Sequence, residues 1–156
     1  MEPLRNPGSL INVEQLVCAL FFLFILWGCM KPSVAREKVL RDVSVSVVLR
    51  EVKQAANGTA LVYGTLTITG RNKRLQSANL DCFGLKSITS HSERIYVDSV
   101  AHILTNGYMA KNNKISVNVY WLFRNRMQSN DLDQLDISVA GDSDVTDLGH
   151  CVIFAR

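Results

Sequence analysis

The sequence predicts an all-β domain, an antiparallel β-sandwich of about seven short strands, preceded by an N-terminal hydrophobic signal or anchor helix. Apolar and polar residues alternate with a period of two through much of residues 43–156, and turn-forming residues separate the alternating segments. One uncharged apolar run lies near the N-terminus. The 156 residues leave room for a single domain of this kind, and a hydrophobic content of 47% is ordinary for a folded protein.

The apolar run is the first element of the chain. Residues 16–27 read LVCALFFLFILW, and the uncharged stretch around them spans only ~24 Å as a helix, against ~30 Å for the hydrocarbon core of a bilayer. That length is typical of the apolar part of an export signal. We therefore divide the chain into a signal peptide or membrane anchor (1–30), a short tether that can extend the helix (31–42), and the β-domain (43–156).

The end of the apolar run carries a more specific pattern. Leu26-Trp27-Gly28-Cys29 resembles the lipobox of bacterial lipoproteins, in which a small residue precedes a cysteine. In that family the cysteine is lipidated and becomes the first residue of the mature chain. The resemblance implies that Cys29 is the lipidation site and that membrane lipid holds the N-terminus. It also implies that the β-domain lies in the periplasm or outside the cell.

Two alternatives for this segment stay open. An uncleaved anchor explains the same apolar run, and four basic residues between positions 31 and 41 would place that flank in the cytoplasm under the positive-inside rule. In addition, Gly8 followed by Glu14 and the apolar run is similar to the leader of type IV pilin-like proteins. That similarity implies a pilin-like or secretion-apparatus subunit, which assembles through its N-terminal helix.

The β-domain contains three segments with sustained alternation and four shorter candidate strands. The long segments are 43–50, 62–68 and 115–123, and the shorter ones are 75–83, 94–104, 135–139 and 151–154. The segment 94–104 is also long enough to be partly helical. Asn57-Gly58 is a strong hairpin signal, and Asn106-Gly107 and Asn112-Asn113 supply residues that tolerate positive φ.

One part of the β-domain resembles a known family. The run YGTLTITG (63–70), followed by Leu75 and by Ala-Asn-Leu at 78–80, is similar to immunoglobulin-like domains of the FxLYD type in bacterial envelope proteins. Those domains open with a glycine-bearing strand, a polar turn and a second strand of small and apolar residues. The resemblance implies an immunoglobulin-like sandwich that serves as a binding or structural module without a cofactor.

Two cysteines lie in predicted strands outside the apolar run. In an oxidising compartment, Cys82 and Cys151 would form a disulfide between distant strands and stabilise the fold by about 2–4 kcal/mol. As two buried free thiols, they would instead be small apolar side chains of the core. The sequence leaves both alternatives open, because it does not show whether the two Cα atoms approach each other.

Few residues form a pattern that supports catalysis. Asp98 and His102 share a face on either a strand or a helix, which permits an aspartate-oriented base in an enzyme or a small-ligand carrier. No nucleophile stands in a known motif, and no His/Cys/Asp cluster has the spacing of a zinc site. We therefore expect no enzyme, no metal and no cofactor, and the mild net charge of +3 gives no reason to expect nucleic acid.

The tyrosines supply the candidate partner site. Tyr63, Tyr96 and Tyr120 all fall on the polar side of their predicted strands. Tyrosine stabilises a sheet surface through cross-strand pairs, which is one explanation. Aromatic residues are also enriched in protein interfaces, so the three residues would form a partner site if their strands were neighbours. We expect a non-catalytic, membrane-anchored envelope protein whose β-domain binds a protein partner or belongs to a larger assembly.

Overall fold

The computed structural model describes residues 33–55, 57–98, 107–140 and 148–156. Within these ranges the chain forms ten β-strands, all paired antiparallel, and two short 3-10 helices, so the all-β class is confirmed. The strands are β1 (Val34–Val39), β2 (Val43–Gln54), β3 (Ala60–Gly70), β4 (Leu75–Ala78), β5 (Phe83–Lys86), β6 (Arg94–Val97), β7 (Tyr108–Met109), β8 (Lys114–Phe123), β9 (Asp136–Val139) and β10 (Val152–Phe154). The 3-10 helices are Leu80–Cys82 and Ser129–Gln134.

Several sequence predictions fall outside the described residues. These are the signal or anchor segment 1–30, the lipid site at Cys29, the pilin-like leader around Gly8, and His102. The candidate strand 94–104 is described only in its first part, where β6 begins at its first residue. Among the described residues, no helix is both long and apolar enough to cross a membrane.

The strands form three sheets around one core. A five-stranded sheet has the order β1-β2-β3-β8-β6, a three-stranded sheet the order β10-β4-β7, and β5 pairs with β9. Inward side chains from all three sheets belong to a single hydrophobic cluster, in which Trp121, Phe83 and Phe123 are the largest fully buried residues. The Trp121 indole N–H donates a buried hydrogen bond of 3.0 Å to the carbonyl of Phe83, which ties β8 to β5.

The long strands follow the predicted alternation. Every second residue of β3 is buried along its whole length, and β2 does the same as far as Leu49. The register then shifts between Leu49 and Glu51, where Arg50 forms a β-bulge. Beyond the bulge β2 continues to Gln54, so this strand is longer than predicted, and Glu51 lies opposite Tyr63.

The tether prediction for residues 31–42 is wrong over its central part. Residues 34–39 form strand β1, which pairs with β2 from Val34↔Leu49 to Val39↔Ser44. Charged residues on both faces hid the strand from an alternation test, since Arg36 and Lys38 occupy the half-buried positions and Glu37 an exposed one. Inward-pointing charge is typical of edge strands, because it discourages pairing with other chains. The Arg36 Nε accordingly donates to the carbonyl of Leu135 at 3.0 Å.

The strand order differs from the expected immunoglobulin-like arrangement of about seven strands. Three consecutive strands, β1, β2 and β3, lie side by side in one sheet, whereas the immunoglobulin arrangement divides successive strands B and C between two sheets. The connections explain the difference, because short turns keep neighbouring strands in the same sheet. Gly58 in the β2–β3 turn has φ +81°, which confirms the hairpin predicted from Asn57-Gly58.

Asn113 joins the ends of three strands. Its φ of +63° confirms the positive φ expected for this turn. The Asn113 side-chain amide donates to the carbonyl of Gly70 at 2.9 Å, and its Oδ1 accepts from the backbone N–H of Leu75 at 2.7 Å. The backbone carbonyl of Asn113 also accepts from the N–H of Gly70 at 3.0 Å. One residue thus fixes the end of β3, the start of β4 and the turn before β8.

Candidate binding face

The three tyrosines singled out in the sequence form one row across the five-stranded sheet. Tyr63 on β3 lies directly opposite Tyr120 on β8, and Tyr120 lies directly opposite Tyr96 on β6. The ring centroids of Tyr63 and Tyr120 are 5.3 Å apart, and those of Tyr96 and Tyr120 are 5.0 Å apart. The interplanar angles of 33° and 17° make the first pair tilted and the second stacked. Such pairs add about 0.5–1.5 kcal/mol each beyond the burial of the rings.

Strand alternation places this row on the face opposite the core. Gly64 and Trp121, the neighbours of Tyr63 and Tyr120, are buried on the inner face. Gly64 is required there because a Cβ would lie 2.5 Å from the carbonyl oxygen of Val48 and 3.2 Å from the Trp121 ring. The close packing beneath the row therefore fixes β3, β8 and the bulged part of β2 relative to one another.

Two leucines extend the row into an apolar patch. Leu61 and Leu122 form the next cross-strand pair along β3 and β8, and both are half-buried on the outer face. We call the five residues Leu61, Tyr63, Tyr96, Tyr120 and Leu122 the tyrosine face. The centre of this surface is apolar and aromatic, while the phenol groups provide hydrogen-bonding capacity.

The central tyrosine is held in its neutral form. Burial raises the pKa of the Tyr120 phenol above its usual value, and the neighbouring Tyr63, Tyr96 and Asp98 raise it further because they disfavour a nearby phenolate. Tyr120 therefore keeps its O–H proton at neutral pH and is available as a hydrogen-bond donor.

Charged groups flank the row at β2. The Lys53 ammonium lies 4.5 Å from the centroid of the Tyr63 ring, within the range of a cation–π contact. The same ammonium lies 3.9 Å from the Glu51 carboxylate, so the end of the row carries both signs of charge. The margin of the row at β2 is therefore polar and of mixed charge.

An open groove of about 360 Å³ runs beside Tyr63. Its polar lining includes Arg50, Asp98 and Asn118, which come from three different strands or strand ends. The Arg50 guanidinium donates to the Thr65 hydroxyl at 2.9 Å, and that hydroxyl donates to the Asn118 side-chain carbonyl at 2.9 Å. These two hydrogen bonds place polar groups on the wall of the groove that is remote from Leu61 and Leu122. The groove offers hydrogen-bond donors and acceptors of both charges next to an aromatic row.

The remaining candidate residues are Asp98, His102 and the cysteine pair. Asp98 is exposed at the end of β6, and it lines the groove rather than a closed pocket. Its predicted partner His102 lies outside the described residues, so the arrangement of these two side chains stays a prediction. Cys82 and Cys151 are joined as a disulfide with Cα atoms 5.7 Å apart, which is the first of the two alternatives that the sequence left open. Cys82 is the last residue of the first 3-10 helix, and Cys151 immediately precedes β10.

Sequence reasoning missed several polar residues around the tyrosine face. Arg50 reaches the groove because of the bulge, and no sequence signal marks a bulge of this kind. Asn118 was recognisable only as an outward residue of a strong strand, two positions before Tyr120. Lys53 and Glu51 lay beyond the predicted end of β2, so their place beside Tyr63 required the true length of that strand.

No protein-family model, curated protein or solved structure matches this chain. The lipobox-like end of the apolar run and the FxLYD-like strand pattern therefore stay resemblances.

Proposed function

We propose that this chain is a non-catalytic, membrane-anchored protein of the bacterial cell envelope whose β-domain binds a protein partner through the tyrosine face. The observation that carries the proposal is the row of Tyr63, Tyr120 and Tyr96 across three neighbouring strands. Tyrosine is enriched at the energetically dominant centre of protein interfaces, where one side chain supplies both apolar area and a hydroxyl.

The form of the row favours a protein surface over a flat-ring ligand. Tyr120 lies between two neighbouring rings, and Lys53 lies over the ring of Tyr63. The rings of Tyr120 and Tyr63 are therefore partly covered, which leaves little aromatic surface on which a flat ligand could stack. A protein partner can instead contact ring edges and hydroxyls, with Leu61 and Leu122 as apolar neighbours. The charged residues at the margin would then form the polar rim.

The proposal of export rests on two independent features. The apolar run ends in a lipobox-like sequence with Cys29 as the residue to be lipidated. The Cys82–Cys151 disulfide is typical of proteins in oxidising compartments such as the periplasm. A lipid or an uncleaved anchor would hold one end of the chain at the membrane, and the β-domain would be displayed on the far side.

We also propose that the two smaller sheets form the second layer of a β-sandwich. Inward residues of the five-stranded sheet share one core with Leu85 of β5, Val139 of β9 and Val152 of β10. Sheets that share one core in this way are the usual solution for burying an apolar sheet face. The tyrosine face would then be the solvent side of the larger sheet.

The partner-binding proposal is tested by complex size. The chain is expressed from its own promoter, extracted in mild detergent and sedimented on a density gradient. We expect the wild-type chain to sediment as a complex larger than the monomer. The double variant Tyr63→Ala/Tyr96→Ala should sediment as a monomer, because it removes both ends of the row. The matched variant Thr67→Ala/Ser116→Ala removes an outward hydroxyl pair, joined at 3.1 Å, from neighbouring strands. It should keep the complex, and equal behaviour of the two variants would reject the tyrosine face.

The anchoring proposal is tested by intact mass. The membrane-extracted native chain should begin at Cys29 and carry added acyl mass, and Cys29→Ala should abolish this processing. An unprocessed Met1 start in both proteins would discard the lipobox and leave an uncleaved anchor. The two tests are separable, since loss of lipidation alone leaves the tyrosine face unchanged.

A further inference from the structure

The disulfide lies beside a histidine. The sulfur atoms of Cys82 and Cys151 and a ring nitrogen of His150 lie within 4.8 Å of one another. Both cysteines are buried, whereas His150 is exposed, so the cluster opens to solvent on the histidine side. The three residues were not recognised as a group in the sequence, because Cys82 lies 69 positions before Cys151.

Backbone hydrogen bonds hold both cysteines in place independently of the disulfide. The Cys82 carbonyl accepts from the N–H of Ala140 at 2.8 Å, which fixes the end of the first 3-10 helix. The Cys151 carbonyl accepts from the N–H of Asn79 at 2.8 Å, and the Cys151 N–H donates to the carbonyl of Leu148 at 2.8 Å. If the S–S bond is broken, these contacts keep the two sulfur atoms near each other and near His150.

We propose that the Cys82–His150–Cys151 cluster is a Zn²⁺ site when the disulfide is reduced. A dithiol reductant supplies two electrons and two protons to the S–S bond and becomes a disulfide itself, leaving two thiols on the chain. Zn²⁺ then displaces both thiol protons and is bound by two thiolates and the neutral His150 ring. Water fills the fourth position of a tetrahedral site.

The distances fit this metal. Zinc lies ~2.3 Å from a thiolate sulfur and ~2.0–2.1 Å from a histidine nitrogen, so these three ligand atoms on one tetrahedral ion are roughly 3.5–3.8 Å apart. The three ligand atoms already lie within 4.8 Å of one another, so side-chain rotation suffices to close the site. Soft thiolates with one imidazole are the ligand set that selects zinc over magnesium or calcium.

Disulfide and metal exclude each other in this site. Each sulfur atom is either bonded to the other sulfur or bound to the metal, so the cluster has an oxidised cross-linked state and a reduced metal-bound state. The metal would replace the lost cross-link between the first 3-10 helix and β10. This property is independent of the tyrosine face and of the proposed partner.

The test uses the full purified chain with Co²⁺ as a spectroscopic substitute for Zn²⁺. The oxidised chain and the chain reduced with a phosphine are titrated with Co²⁺, and the thiolate-to-cobalt charge-transfer absorbance is recorded. The reduced chain should bind one ion, and Zn²⁺ should displace it. Cys18 and Cys29 are changed to serine in every sample, so the oxidised chain has no free thiol and should give no such absorbance. His150→Ala should weaken binding by at least about 100-fold, since even second-shell changes cost 10–100-fold.

His91→Ala provides the matched control, because His91 is an exposed histidine outside the cluster. It should bind Co²⁺ as the wild type does. Near-ultraviolet circular dichroism of the buried Trp121 follows the fold in every sample. If reduction disorders the chain, added Zn²⁺ should restore the signal in the wild type and the control but not in His150→Ala. Failure of the reduced wild type to bind, or equal binding by His150→Ala, would overturn the proposal.

Discussion

Truncation of Tyr120 to alanine tests the tyrosine row at its central residue, which contacts two other rings. Tyr120 contacts two other rings, whereas Tyr63 and Tyr96 each contact one ring of the row. Changing Tyr120 to alanine therefore removes two aromatic pairs, and changing either flanking tyrosine removes one. The three single substitutions delete the same atoms from the same face of the same sheet. Tyr96→Ala is the matched control, because Tyr63→Ala also removes the Lys53 cation–π contact.

The expected magnitudes follow from the number of pairs lost. Each aromatic pair contributes about 0.5–1.5 kcal/mol beyond area burial, so the paired rings of Tyr120 account for about 1–3 kcal/mol. Tyr63→Ala and Tyr96→Ala should each lose about half as much from ring pairing. Tyr63 and Tyr96 are separated by β8, so a double mutant of these two should be close to additive. Combining Tyr120→Ala with either one should be less than additive.

Equilibrium urea unfolding of the full chain, followed by near-ultraviolet circular dichroism, measures these differences. The midpoint should fall most for Tyr120→Ala, while the slope of the transition stays constant. A loss of free energy of unfolding for Tyr120→Ala no greater than that for Tyr96→Ala, which removes one ring pair, would contradict this explanation. The explanation would also be refuted by full additivity of Tyr120→Ala with both neighbours, because contacting side chains should be coupled.

Three further predictions concern the disulfide, the Asn113 turn and pH. Serine at both Cys82 and Cys151 should lower the free energy of unfolding by about 4 kcal/mol, since the bond closes a loop with a sequence separation of 69. Asn113→Ala should cost about 3–4 kcal/mol, from two hydrogen bonds at ~1 kcal/mol each and a left-handed backbone at ~1–2 kcal/mol. Because the pKa of Tyr120 is raised in the folded state, the stability that it contributes is present below about pH 10. That contribution is lost as pH rises through the folded-state value.

Matched variants separate these effects from general destabilisation. Asn113→Gly keeps the positive φ and loses only the hydrogen bonds, so it should cost about 2 kcal/mol, and a cost equal to that of alanine would contradict the turn geometry. Tyr120→Phe should reduce the alkaline loss of stability measured by urea unfolding across pH, and an unchanged pH profile would assign that loss to other groups. A phosphine should destabilise the wild type but not the double serine variant, when both are measured without added metal.

The sequence was a good guide to the strands with one polar and one apolar face. Val45 and Val47 of β2, and Ile115 and Val119 of β8, alternate with polar residues and are buried as predicted. It failed at β1, because Arg36 takes an inward position and satisfies its Nε–H at the carbonyl of Leu135. Alternation of polar and apolar residues therefore identifies the core-facing side chains of a strand only where all of those side chains are apolar.

The sequence predicted which tyrosines point away from the core, but not that their strands are neighbours. Alternation placed Tyr63, Tyr96 and Tyr120 on the polar side of their strands, and the pairing of β8 with both β3 and β6 brought them into one row. Strand neighbours separated by many residues depend on packing of the whole core, which no local pattern encodes. The approach of Cys82 to Cys151 depends on the same packing of the whole core.

The most direct test of the proposed function is photo-crosslinking in intact cells from position 96. A benzophenone derivative of phenylalanine replaces Tyr96 in the full chain, with the same residue at Thr67 and at Ser129 as controls. Thr67 lies on the same sheet face, and Ser129 begins the second 3-10 helix. We expect one discrete crosslinked protein from position 96, which is lost when Tyr63 and Tyr120 are also changed to alanine. Equal crosslinking from all three positions, or none from position 96, would contradict a partner bound at the tyrosine face.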